Sequence, residues 1–97
     1  MRSLLDYMAD MEVAKRSLYA AIEDEDAARA ARCLADFNSI TDALATVVEE
    51  RYGKNGTLVS AMTPVSQRNL RVAHGLLRDS GAVIGLYNET FGAPFAP

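Results

Sequence analysis

Leu4, Met8, Met11, Lys15, Leu18 and Ile22 follow one another at steps of 4, 3, 4, 3 and 4 residues, which stacks their side chains on one face of an α-helix. Only Lys15 breaks the stripe, and its methylene stem can lie on apolar surface while the ammonium reaches water. The pattern returns at Ala30, Cys33, Phe37, Ile40, Leu44 and Val47. It returns again at Val65, Asn69, Ala73, Leu76, Ser80, Val83 and Tyr87, with Leu70, Leu77 and Ile84 as a second row beside it. A chain patterned this way must fold by packing helices against each other.

The breaks between stripes carry their own signals. Glu23-Asp24-Glu25-Asp26 opposes the negative end of a first helix and suits the positive start of a second, so the chain turns there, with Asp24 as the expected N-cap. Glu12 and Arg16, four apart, are expected to pair on the wet side. Arg51-Tyr52-Gly53-Lys54-Asn55-Gly56 combines a cation, a glycine at the C′ position and an Asn-Gly turn, which ends the second helix near Tyr52. Pro64 suits a first helical position; the alternative is a kink at Pro64 in a longer helix, or a short helix near 57–62. The expectation is an all-α, elongated antiparallel three-helix bundle with helices at about 3–23, 25–52 and 64–90. Residues 1–90 form the single domain, and 91–97, with a glycine and two prolines, form an extended, mobile apolar tail.

Composition narrows the function more than it defines it. Among 97 residues, 49% are hydrophobic, but 16 are alanine, so the core is closely spaced and shallow. A net charge of −3 gives no basic field for general nucleic-acid binding. The lone cysteine, Cys33, forms no internal disulfide and sits in a stripe position, which favours a core role in a reducing, cytoplasmic setting. No apolar run approaches the roughly 18 residues of a membrane span, and no export signal opens the chain.

Chemistry is sparse. One histidine, His74, makes neither a catalytic triad nor the paired Glu-x-x-His of a di-iron bundle, and no ligand cluster accompanies it. No phosphate-loop pattern is present. The expectations are therefore no enzyme activity, no catalytic residue, no metal and no cofactor. Arg68, Arg71, His74 and Arg78 share one side of the third helix and read first as a wet face, second as a landing strip for an acidic helix or a phosphate backbone. Gly75, Gly81 and Gly85 weaken a helix interior and need a reason; close helix approach is the first, and a helix that rearranges when a partner docks is the second. The surplus of apolar residues in this segment points to a binding surface.

Leu18-Tyr19-Ala20-Ala21-Ile22 with its acidic break, followed by the Leu34, Ile40 and Leu44 spacing, and Gln67-Arg68-Asn69-Leu70 opening an aliphatic helix that runs to Tyr87, resemble the FlgN family of flagellar type III export chaperones. The resemblance implies a cytoplasmic chaperone that holds the amphipathic C-terminal helix of a hook-filament junction subunit. Asn69 matches the family's asparagine motif. Thr90-Phe91-Gly92 matches its Thr-Tyr-Gly-like tail, with Phe91 where export-gate docking uses a tyrosine. The expected client contacts are Asn69, Val72, Leu76, Val83, Ile84 and Tyr87, in the helix-in-groove mode. The alternative is a module in which two copies pair through that same surface and act as a structural or regulatory adaptor.

Overall fold

The computed structural model describes residues 2–53 and 64–92, and they form three α-helices that pack against each other: α1 (Leu4–Glu23), α2 (Ala27–Tyr52) and α3 (Pro64–Phe91). The molecule measures 46 × 20 × 19 Å, as helices of 20, 26 and 28 residues laid side by side require. No described helix is long and apolar enough to cross a membrane.

Helix α1 starts where the chain satisfies its own first amides. Ser3 Oγ accepts the Asp6 N–H at 3.2 Å, and Asp6 Oδ2 accepts the Ser3 N–H at 2.9 Å, a reciprocal capping box. Hydrogen bonding to the carboxylate, first from the Ser3 backbone N–H and then from the Ser3 side chain, holds the Asp6 carboxyl below its ordinary range. Arg2 pairs with Asp10 and lies 4.6 Å over the Tyr7 ring, while Arg51, in the last turn of α2, donates to the Arg2 carbonyl. The end of α2 is thereby tied to the start of α1.

The turn between α1 and α2 corrects the expected cap. Asp24 closes α1, its N–H donating to Ala20 O at 3.0 Å, and Asp26 is the N-cap of α2, its Oδ1 accepting the Arg29 N–H at 3.1 Å. The shift has a cause: Glu25, at φ 55°, takes the left-handed conformation that breaks α1, so the first extended residue able to cap is Asp26. The expected Glu12–Arg16 pair also differs. Glu12 accepts from Lys15 Nζ at 2.9 Å, one residue closer, which lets the Lys15 stem lie along the helix as a half-buried edge. Helix α2 ends at Gly53, φ 78°, whose N–H donates to Glu49 O.

Among the described residues the core takes Leu4, Met11, Ala14, Leu18, Ala21 and Ile22 from α1, and Ala30, Leu34, Phe37, Leu44, Val47 and Val48 from α2. From α3 it takes Leu70, Ala73 and Val83. Phe37, Met11, Leu18, Leu34 and Leu44 are its largest enclosed side chains, each stabilising the fold by about 1.5–3 kcal/mol. Among the described residues every buried side chain is apolar. The turn expected at Asn55-Gly56, the helix at 57–62 and the question of a kink before Pro64 lie outside the described residues. Phe91 belongs to α3 and packs on the core, which corrects the tail's expected start; the remainder, 93–97, lies outside the described residues.

Candidate protein-binding face

Helix α3 carries its apolar side chains in two rows, and the structure spends them unequally. Leu70, Ala73 and Val83 are buried, and Leu76, Leu77, Ile84, Tyr87 and Phe91 are half-buried against the core. Val72 is 48% exposed and Leu86 38%. The six residues singled out from sequence therefore occupy different environments. Val83, 3% exposed, belongs to the protein's own interior; Leu76, Ile84 and Tyr87 lean on it; Asn69 is half-buried; Val72 alone stands clear. The Tyr87 ring lies 5.1 Å from that of Phe91, at 53° between planes. Cys33 is half-buried and packs on the core, and His74 is exposed.

Sequence reasoning assigned Val65 to the inner stripe, but it is 65% exposed. With it appears a seam that was overlooked: Val65, Val72, Asp79 and Leu86, seven residues apart, interleaved with Arg68, Gly75, Ala82 and Glu89. The signal was present as a second heptad spacing, masked by the stronger apolar rows beside it. The three glycines do not serve close packing inside the bundle, which corrects that expectation. A Cβ built at Gly81 or Gly85 meets nothing within 4 Å, and at Gly75 it meets only the Arg78 guanidinium at 3.8 Å.

Charge along α3 is sorted. Arg68, Arg71 and Arg78 lie in its first part with no acid before Asp79, and Asp79 and Glu89 lie in its second part with no base after Arg78. This order runs against the helix dipole, whose effect falls off within the terminal turns, so only Glu89, in the last turn, meets it directly, at about 0.3–1 kcal/mol. No ion pair ties α3 to α1 or α2 among the described residues. Arg78 reaches only its neighbour Asp79, at 3.8 Å, both side chains more than 70% exposed.

Elsewhere, Thr46, Glu49 and Glu50 edge an open hollow of about 430 Å³ on α2. Among the described residues no three His, Cys, Asp or Glu side chains converge as a metal centre requires. Comparison with protein-family models, curated proteins and solved structures gives no match to this chain. Fold and surface together define a three-helix bundle whose third helix keeps an open outer face.

Proposed function

We propose that the protein is a helix-binding module that holds the amphipathic helix of a partner protein along α3. In its specific form it is a cytoplasmic export chaperone for a flagellar hook-filament junction subunit. The specific form rests on the resemblance drawn from sequence. The general form is supported by one observation: among the described residues α3, the longest described helix, supplies three of the buried core residues, where α1 and α2 supply six each. Its half-buried Leu76, Ile84 and Tyr87 and its exposed Val72 keep apolar area in water, worth about 25 cal/mol per Å² when a partner covers it. Asn69 sits one turn before Val72, where an amide can fix the register of an incoming helix by hydrogen bonding.

The test is calorimetric titration of the full chain with synthetic C-terminal helices of hook-filament junction subunits. Binding is expected, and Val72→Asp is expected to weaken it more than tenfold without lowering the melting temperature, because the Val72 side chain is exposed. No heat from any such helix at about 100 µM, against a typical micromolar expectation for a helix in a groove, overturns the specific form. Val83→Asp is the wrong variant here, since it places a charge in the core and reports on folding.

A further inference from the structure

The exposed side of α3, which takes in Arg78 and Gly85 beside the seam, presents two facts that the bundle itself does not use: charges sorted with bases first and acids last, and the small residues Gly75, Ala82 and Gly85. A helix laid alongside in the opposite direction answers both. Its acidic part meets the basic part of α3, its dipole runs the favourable way, and small residues let the two backbones approach.

We infer that the helix filling this place is α3 of a second copy of this chain, docked antiparallel about a twofold axis between Arg78 and Asp79. In that register Arg68 faces Glu89 of the second copy and Arg78 faces its Asp79, and symmetry repeats each pair. The same register sets Gly75 opposite Ala82 and Val72 opposite Gly85, and brings Leu86 opposite Arg71, whose methylene stem can lie along apolar surface. Parallel pairing fails on charge, because it sets Arg68 against Arg68 and Glu89 against Glu89. The span from Arg68 to Glu89 is about 32 Å at 1.5 Å per residue, and one helix pair of that length buries on the order of 1,000 Å² in total, the size of a weak interface. The dimer is accordingly a micromolar one and loosens with salt. This inference shares Val72 with the client reading but is carried by the outward charges and the small residues of α3, which that reading does not use.

Sedimentation equilibrium of the full chain from about 1 to 500 µM, covering the range of weak interfaces, tests it with two charge variants. Arg68→Glu with Arg78→Glu sets acid against acid in every facing pair; Asp79→Arg with Glu89→Arg sets base against base. All four side chains are exposed, so the fold does not depend on them. Each variant alone is expected to raise the dimer Kd at least tenfold, and an equal mixture is expected to restore dimers. Direction is read by oxidative cross-linking in a Cys33→Ala background: Arg68→Cys is expected to cross-link with Glu89→Cys when the two chains are mixed, and not with itself. A chain that stays monomeric throughout, a dimer indifferent to both charge variants, or Arg68→Cys linking to itself overturns the proposal. A failed client titration has no bearing on these readouts.

Discussion

The Phe91 ring leans on Tyr87 at 5.1 Å, and both rest on the core, so the last turn of α3 is anchored by aromatic packing. Phe91→Ala is expected to lower unfolding free energy by about 2 kcal/mol, combining partial apolar burial with loss of the ring pair. Phe91→Leu keeps most of the area and should cost under about 1 kcal/mol. Urea denaturation of both variants checks this. Equal losses for the two would mean that the ring contact carries the whole effect and the apolar area contributes nothing, against this partition.

Asp24 and Asp26 are two residues apart and carry the same charge, yet they do different work. Asp26→Ala removes the side chain that caps α2 and is expected to cost about 1 kcal/mol. Asp24→Ala removes an exposed pair with Arg29 at 2.9 Å and is expected to cost a few tenths of a kcal/mol. Thermal denaturation ranks the two; a larger loss for Asp24 contradicts the capping assignment.

Glu25 holds a left-handed backbone that costs a non-glycine residue about 1–2 kcal/mol. Glu25→Gly relieves that strain while adding freedom to the unfolded chain, for a net gain of about 0.5–1 kcal/mol. A rise in melting temperature is the expected reading, and a fall would show that the Glu25 side chain holds the turn.

The lowered Asp6 carboxyl gives the fold an acid sensitivity of definite sign. The unfolded chain takes up this proton at higher pH than the folded one, so the contribution of Asp6 is complete above the unfolded carboxylate value. It is lost as pH falls through the depressed folded value. The stability gap between the natural chain and Asp6→Asn is therefore expected to be widest near neutrality and to shrink as pH falls through and below the ordinary carboxylate range. Chemical denaturation across that range measures it, and a gap that widens in acid rules the capping box out as its source.

Gly81→Ala and Gly85→Ala each place a methyl into open space on a helix and are expected to stabilise the single chain by about 0.8–1.0 kcal/mol. On the inferred register Gly85 faces Val72 of a second copy, so Gly85→Ala should also loosen the dimer while Gly81→Ala spares it. Melting curves and sedimentation, run on the same two variants, separate the effects.

The helices and most of their inner faces were legible in the sequence because one period, repeated over five or more side chains, overdetermines a helix. Leu4, Met11, Leu18 and Ile22 are all buried as their spacing requires. Ala14 and Ala21 were missed, since alanine at a core position looks the same in a sequence as alanine on a surface. Asp24 was preferred over Asp26 because four consecutive acids offer no local contrast, and only the backbone of Glu25 decides among them. The candidate face was the least legible part. Two apolar rows on one helix do not say which row the bundle will enclose, so Val83 and Val72 looked alike until packing separated them.

Among the described residues the interior holds no side-chain hydroxyl, amide or charge, and so no bonded key fixes how its layers mesh. Shape alone seats Leu70, Ala73 and Val83 between the other two helices, and aliphatic for aliphatic exchanges of similar volume there should be absorbed at modest loss. The outer surface of α3 is thus free to drift in sequence without unmaking the protein beneath it, a latitude that lets one scaffold change its associates while keeping its fold.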